Sequence, residues 1–192
     1  MPRQRKCANC AKTTPTHNSI TLNNRYLCAR CCNETFAGPE FQHIDFDPLP
    51  VNDFTGTTHI FHFLLRHLGD KIAINAFELH EGYTFQIIDD ADTDPLALFG
   101  KLVQRIQRAL AVRHIVKTPF GPIIEEHDTV TATITSDPDR VLPALIIDGQ
   151  RIGWNQLGYM LRTYEGFQFQ LQIRDKSEEF DPPQKRGHKT RK

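Results

Sequence analysis

Three segments in the middle of the chain have hydrophobic and polar residues in the two-residue period of a β-strand. They run from His59 to Leu65, from Lys71 to Leu79 and from Tyr83 to Ile88. The turn sequences Leu68-Gly69-Asp70 and Glu81-Gly82 separate them. Because strands joined by such short turns pair antiparallel, the pattern predicts an antiparallel meander.

A helical period follows, from Pro95 to about His114. Asp94 is placed to cap the open amides, and Pro95 suits the first turn, where its missing N–H costs nothing. The apolar face comprises Phe99, Leu102, Val103, Ile106 and Leu110, and another face carries Lys101, Arg105 and Arg108. Such a basic face can track phosphates, but an ordinary solvated surface is the favoured interpretation.

The second half of the chain adds further strands and one helix. Strands are predicted over Val130–Ile134 and over Ala144–Ile147, which ends at the turn Asp148-Gly149. Helical spacing connects Trp154, Leu157, Leu161 and Tyr164. This spacing favours Trp154 as a core residue over an exposed partner contact.

The segment Phe167–Ile173 alternates apolar residues with glutamines, which predicts a strand with one buried face. Strands and helices therefore mix without a regular βαβ order, and the predicted fold class is α+β. We expect a small N-terminal zinc ribbon or treble-clef-like module, followed by an α+β domain with an antiparallel sheet and two helices.

Composition divides the 192 residues into four parts. The predicted module spans residues 1–36, and a linker follows over residues 37–52, where Gly38, Pro39, Pro48 and Pro50 interrupt any regular pattern. The α+β domain covers residues 53–174. Residues 175–192 are rich in charge and poor in large apolar side chains, which predicts a disordered basic tail.

Four cysteines define the first part of the chain. Cys7 and Cys10 form one C-x-x-C pair, and Cys28 and Cys31 form a second one seventeen residues later. This is the spacing of a structural zinc site with four thiolate ligands. Residues 1–33 have too few large apolar side chains to order themselves by burial, so the spacing predicts that Zn²⁺ stabilises the module.

Other interpretations of the cysteines stay open in the sequence. Paired disulfides need an oxidising compartment, and no apolar signal region stands near Met1. Cys32 directly follows Cys31 and is an alternative fourth ligand, and His17 is an alternative to one sulfur. His17 fits a loop more simply, before a small hairpin that turns at Asn23-Asn24.

Charge is unevenly distributed along a chain whose net charge is zero. Residues 1–33 hold six Lys or Arg and no acid, and residues 184–192 hold five Lys or Arg and no acid. The remaining residues have a net charge of minus eleven. Basic ends of this kind are typical of segments that contact DNA or RNA, and for the nine-residue C-terminus a solvated tail without a partner is an equal alternative. The predicted nucleic-acid contacts are Arg3, Arg5, Lys6, Lys12, Arg25, Arg30, Lys185, Arg186, Lys189, Arg191 and Lys192.

No motif of an enzyme is present: there is no phosphate loop, no dinucleotide-binding G-x-G-x-x-G and no G-x-S-x-G elbow. His59, His62 and His67 lie close in sequence, but a strand would point His59 and His62 to opposite faces. The acidic run from Asp89 to Asp94 is explained by helix capping more simply than by a cation site. No apolar run is long enough to span a membrane, and we expect a soluble cytoplasmic protein.

The chain resembles a family of uncharacterised bacterial proteins in which a four-cysteine ribbon precedes a small α+β domain. The resemblance rests on the two cysteine pairs, on Gly69–Leu79 and on Ile147–Trp154 continuing into Thr163–Phe167. It covers most of residues 7–174. It implies an architecture and a bacterial or mobile-element setting, and it transfers no catalytic residue.

These observations rank three hypotheses. The first is a noncatalytic zinc-ribbon protein that associates with nucleic acid, or with a nucleoprotein complex, through its basic ends. The second is an adaptor that contacts a protein partner, with a purely structural zinc site. The third, and least favoured, is an enzyme whose site is assembled from scattered His, Asp and Glu residues.

Overall fold

The structure is a computed structural model that describes residues 4–38, 41, 43–125, 128–137 and 141–180. Its strands pair antiparallel and combine with three helices in the α+β fold that the sequence predicts. The helices are α1 (Ala29–Ala37), α2 (Pro95–Leu110) and α3 (Trp154–Leu161). The strands are β1 (Gln4–Lys6), β2 (Thr13–Pro15), β3 (Ser19–Leu22), β4 (Arg25–Cys28), β5 (Leu49–Asn52), β6 (Thr58–His67), β7 (Lys71–Phe77), β8 (Thr84–Asp90), β9 (Ile115–Thr118), β10 (Gly121–Ile124), β11 (Thr133–Thr135), β12 (Ala144–Ile147) and β13 (Gln150–Ile152).

A four-stranded sheet with the order β5-β6-β7-β8 forms the centre of the molecule. Its last three strands are the predicted meander. Helix α2 packs on one face of this sheet. Apolar residues at helical spacing give the helix one apolar face, and apolar residues at every second strand position give the sheet another, so the two faces pack together. The main buried residues between helix and sheet are Phe61, Leu65, Ile72, Ile74, Leu98, Leu102, Ile106 and Leu110.

Strand β5 lies in the segment predicted as a linker. Its residues pair with β6, with Leu49 opposite Phe61 and Asn52 opposite Thr58. Pro50 is tolerated because β5 is an edge strand, where a missing N–H removes no bond from the sheet. The prolines that indicate irregular structure in the sequence are therefore compatible with a strand at this edge.

Helix α2 starts as predicted and ends one turn early. The Asp94 carboxylate accepts hydrogen bonds from the Leu96 and Ala97 amides, which confirms the cap. At the other end, the Leu110 carbonyl accepts from the Phe54 amide at 2.9 Å, and the His114 amide donates to Asp148 Oδ2 at 2.8 Å. The Leu110 carbonyl and the His114 amide would pair with each other if the helix continued. Because both bond to other groups, the helix ends before His114.

A second, smaller core follows α2. The hairpin of β9 and β10, the sheet β11-β12-β13 and α3 surround Ile115, Ile147, Ile152 and Met160. The prediction that Trp154 belongs to the core is wrong, because its side chain is 41% exposed. Helix α3 buries Met160 and partly buries Leu157, so the inward face is offset from the predicted one.

The Asp148-Gly149 turn joins the two cores. Both residues have positive φ angles, as a tight hairpin turn between β12 and β13 requires. A Cβ atom on Gly149 would lie 2.9 Å from Tyr83 Cε2 of the central sheet, so the turn sits directly against that ring. Arg151 forms an ion pair with Glu81, which is a second link between the cores.

Asn33 joins the N-terminal module to the central sheet. Its fully buried side chain donates from Nδ2 to the Leu65 carbonyl and accepts at Oδ1 from the His67 amide, each at 2.9 Å. The amide therefore occupies the edge of β6 beyond β5, much as a neighbouring strand would. Nδ2 also lies 2.9 Å from His43 Nδ1, and His43 Nε2 lies 3.1 Å from Asp45 Oδ1. Since Nδ2 only donates, His43 accepts at Nδ1.

The segment Phe167–Ile173 is not the half-buried strand that its pattern predicts. It forms no regular secondary structure, and all its side chains are exposed. Among the described residues, no strand pairs with it. Other elements fill both cores, and no described residue covers the apolar side of this segment.

Residues 175–180 belong to the part predicted as disordered, but they make defined contacts. Arg105 donates to the carbonyls of Lys176, Ser177 and Glu178, and Arg108 pairs with Glu179. The solvated interpretation is therefore wrong for Arg105, whereas Arg108 is an exposed surface residue as expected. The rest of the predicted tail, from residue 181 on, lies outside the described residues. None of the described helices has the length and apolar character that a membrane span requires.

Replacing Asn33 tests the joint between the module and the sheet. Asn33→Ala leaves the Leu65 carbonyl and the His67 amide buried without their partner. We expect the free energy of unfolding to fall by about 3 kcal/mol in urea titration. Thr35→Ala on the exposed side of the same helix is the control and should change it by less than about 1 kcal/mol. Equal effects of the two substitutions would refute this role of Asn33.

Candidate metal centre

The four predicted ligands come from three local structures of the module. Cys7 and Cys10 lie in the loop between β1 and β2, where the Cys7 amide donates to the Lys12 carbonyl and the Ala11 amide donates to the Cys7 carbonyl. Cys28 ends β4 and is the N-cap of α1, and Cys31 lies in the first turn of that helix. The order of loop, hairpin and helix is the treble-clef form of the predicted module. The hairpin of β3 and β4 turns at Asn23-Asn24, as predicted.

The four sulfur atoms all lie within 4.8 Å of one another, and the group is able to hold a metal ion. Cys10 Sγ and Cys28 Sγ are 3.8 Å apart. Four sulfurs placed about 2.3 Å from a central ion form a tetrahedron with edges of about 3.8 Å. A disulfide would need about 2.05 Å between sulfurs. All five cysteines are free thiols, so the disulfide alternative does not describe this site.

Hydrogen bonds and burial act differently on the four thiols. Burial raises the pKa of Cys7, but bonds from the backbone of Cys10, Cys28 and Asn9 outweigh it and lower the pKa to about 6. Burial also raises the pKa of Cys28 and, more strongly, that of Cys31, where the neighbouring thiols add to the increase. A cation bound by the four sulfurs displaces the thiol protons, so the differences in pKa among the thiols no longer decide which of them are ionised.

The two alternative ligands lie elsewhere. The Cys32 side chain is buried with Leu27 in the small core of the module, and it is not part of the four-sulfur group. Burial raises the pKa of this thiol. The His17 ring lies 5.8 Å from that of His62 and 5.7 Å from that of Phe77. His17 therefore packs against the central sheet and forms a second contact between module and sheet.

Four predicted nucleic-acid contacts surround the loop that carries Cys7 and Cys10. We call Arg5, Lys6, Lys12 and Arg25 the basic cluster, and all four side chains are exposed. The guanidinium of Arg5 stacks 5.4 Å from the centre of the Tyr26 ring, and Arg25 donates to Asn9 Oδ1 at 3.0 Å. Lys6 and Lys12 flank the loop on β1 and just before β2.

The other predicted contacts are not part of this cluster. Arg30 is exposed on α1, where it forms an ion pair with Glu34 at 3.0 Å. The remaining predicted contacts, namely Arg3, Lys185, Arg186, Lys189, Arg191 and Lys192, lie outside the described residues.

The structure brings together one cluster of His and acidic side chains that the sequence does not indicate. His59 Nδ1 lies 2.9 Å from Glu78 Oε1, and Nε2 lies 3.3 Å from Asp53 Oδ2. Glu78 also accepts from the Tyr83 amide. With a carboxylate at each ring nitrogen, His59 has no free nitrogen for proton transfer. The cluster connects the turn before β6 with the turn before β8, and pairing across β6 and β7 assembles it from residues too distant in sequence to be recognised.

Asp53 organises the turn between β5 and β6. Its Oδ1 accepts from the Thr55 and Thr57 amides at 2.8 and 3.0 Å. Burial raises the pKa of Asp53, but the bonds from Thr55, His59 and Thr57 outweigh it and lower the pKa from an ordinary value of 3.8 to about 2. The Asp53 carboxylate is therefore ionised in the folded chain at neutral pH.

The comparisons with known proteins match two consecutive parts of the chain. Residues 42–111 match a family described as a domain of unknown function (DUF7686), and residues 114–178 match a second one (DUF7713). No curated protein and no solved structure matches the chain. The matches agree with the resemblance to an uncharacterised family, and a bacterial origin stays a prediction. They divide at the end of α2, between the two cores, and the cysteine module precedes both.

Metal analysis of the purified chain tests the site. We expect one equivalent of Zn²⁺ in protein prepared under reducing conditions, and a loss of at least about tenfold in affinity for Cys7→Ser. Cys32→Ala is the matched control and should keep the full equivalent, because this thiol lies outside the group. A Cys7→Ser chain with the metal affinity of the native chain, or a loss of metal in Cys32→Ala, would contradict the assignment.

The pH dependence of stability tests Asp53. Because its pKa is lowered in the folded chain, its contribution is complete above the unfolded pKa of about 4 and is lost as the pH falls to about 2. Asp53→Asn should lower the free energy of unfolding at neutral pH by about 1–2 kcal/mol. In urea titrations the difference in free energy of unfolding between variant and native chain should become smaller from pH 4 towards pH 2. A difference that is constant over this range would exclude a role for the charge.

Proposed function

We propose that the four-cysteine group holds a structural Zn²⁺ and that the module binds the phosphate backbone of nucleic acid through its basic cluster. The single observation that carries this proposal is the position of Arg5, Lys6, Lys12 and Arg25 around one metal-binding loop. No acidic residue occurs in residues 1–33 to oppose them. The protein acts in this proposal as a noncatalytic binding module.

Zinc is favoured over other metals by the chemistry of the four donors. Thiolate sulfur is a soft ligand, and a tetrahedral set of four thiolates with no open position is typical of structural zinc. Four thiolates and one Zn²⁺ leave a net charge of minus two at the site. The six basic residues of residues 1–33 exceed this charge, so the metal-bound module remains positive.

The basic cluster suits phosphates better than bases. Its side chains are exposed and come from short strands and loops, and none of these elements presents a helix for the major groove. Tyr26 is the aromatic residue beside the cluster, but Arg5 already covers its ring. We therefore expect binding that depends on charge and salt rather than on sequence, with the basic residues beyond residue 181 assisting.

Binding of short labelled probes tests the proposal. Fluorescence anisotropy with duplex DNA, single-stranded DNA and single-stranded RNA should detect association at low salt, which weakens steeply between about 50 and 200 mM salt. Replacing all four residues of the basic cluster by Gln should reduce the slope of log K against log salt by about 3 to 4 for duplex DNA.

The matched control is Arg108→Gln. Arg108 lies on α2 and is already paired with Glu179. This substitution should leave the slope unchanged. Failure to bind any probe at low salt, or a fourfold variant that binds like the native chain, would exclude nucleic-acid contact by this cluster.

A second function, an adaptor for a protein partner, is favoured by one observation. Trp154 is 41% exposed and lies with Val141 and Leu142 around a shallow cavity of about 350 Å³. Exposed tryptophans of this kind are frequent in protein interfaces. Recovery of a defined partner after nuclease treatment, lost in Trp154→Ala and retained in the fourfold Gln variant, would support the adaptor.

A further inference from the structure

The segment Phe167–Ile173 has the alternating pattern of a β-strand, but it pairs with no strand in the described part of the chain. Its apolar side chains are strongly exposed, with Phe167, Phe169, Leu171 and Ile173 at 67, 81, 71 and 69%. No backbone hydrogen bond is made by residues 168–174 within the described chain. The segment lies inside the second family match, so it belongs to that domain and not to the basic tail.

Both ends of this segment are fixed to the rest of the molecule. Before it, Tyr164 Oη donates to Asp128 Oδ1 at 2.8 Å, and the Phe167 amide donates to the Tyr164 carbonyl. After it, Arg174 donates to the Glu179 carbonyl, and Arg105 holds the carbonyls of residues 176–178. The segment is thus tied at both ends, which lowers the entropy lost when a partner strand pairs with it.

We propose that the partner is the same segment of a second copy of this chain, paired antiparallel around a two-fold axis at Gln170. The sequence from Phe167 to Ile173 has the same hydrophobic pattern in both directions. Pairing about Gln170 places Phe167 opposite Ile173 and Phe169 opposite Leu171. It also places glutamine opposite glutamine on the other face.

This arrangement satisfies what the single chain leaves open. The backbone N–H and C=O groups gain partners, and aromatic residues pair with aliphatic ones across the strands, which is a favourable combination. The seven residues carry no charge, so self-pairing brings no like charges together within them. A heterologous partner gains nothing from the symmetric pattern, whereas a second copy matches it at every position.

The exposed apolar area of the segment sets an upper limit on what pairing can bury. At the exposures given above, the four apolar side chains present roughly 500 Å² per copy. Side-by-side pairing covers the backbone edge and the facing sides of these side chains but leaves both faces of the two-stranded ribbon in solvent, so each copy buries only part of this area and the interface falls at the small end of the size range. Apolar residues such as Phe120, on the hairpin of β9 and β10, are also exposed but do not extend this strand.

Sedimentation velocity of the full zinc-loaded chain tests the proposal. The native chain should sediment as a dimer of 22.1 kDa subunits at micromolar concentration. Phe169→Asp and Leu171→Asp should each weaken the dimer at least about tenfold, because each change places two charges in the paired face. Phe120→Asp, an equally exposed position outside the segment, should leave the dimer intact. Circular dichroism should show that all three variants fold.

Crosslinking tests the register. Gln170→Cys faces its own copy across the two-fold axis and should form a disulfide-linked dimer with oxidised glutathione. Gln172→Cys lies on the same face, but its two copies are about 14 Å apart in this register and should not crosslink. The native chain controls for the five natural cysteines. A monomer at all concentrations, a dimer that survives Phe169→Asp, or equal crosslinking at the two positions would each overturn the proposal.

Discussion

The convergence of four cysteine sulfurs on one point is the constraint on which the N-terminal part of the molecule depends. Few large side chains are buried there besides Leu27 and the cysteines themselves. Two short hairpins and a nine-residue helix have too little apolar contact to hold one arrangement. The sulfurs connect all three elements, and the helix that carries Cys31 also carries Asn33. Any order at the cysteine site is therefore transmitted to the edge of the central sheet.

Two kinds of contact then organise the rest of the chain. Hydrophobic burial forms two separate cores, one under α2 and one around Ile147, and their boundary coincides with the boundary between the two family matches. Buried polar groups specify how the parts meet. Asn33 joins the module to the sheet. Asp148 accepts hydrogen bonds from the amides of His114 and Ile115, and His59 connects two turns. Asn33 and Asp148 thereby supply acceptors for the backbone amides of buried residues.

Periodicity and short-range motifs predicted the elements that are determined locally. The meander, helix α2 with its Asp94 cap and the cysteine pairs have patterns that act over a few residues. Asn33 and Glu78 could not be recognised, because each bonds to residues that strand pairing brings from far along the chain. Asp53 bonds within its own turn, where no hydrophobic period indicates it. The segment Phe167–Ile173 is a different case: its pattern predicts a half-buried strand, but among the described residues it pairs with no strand and is exposed. Trp154 shows that helical spacing predicts an amphipathic helix but does not determine which side of the helix is buried.

Hydrogen exchange of the full chain before and after zinc chelation tests the central claim most directly. The account predicts that amides of residues 4–37 lose nearly all protection when the metal is removed. The His67 amide should lose protection with them, because its acceptor lies on α1, while β7, β8 and α2 should keep theirs. Unchanged protection in the module after metal removal, or equal loss across both cores, would contradict a metal-ordered module attached through Asn33.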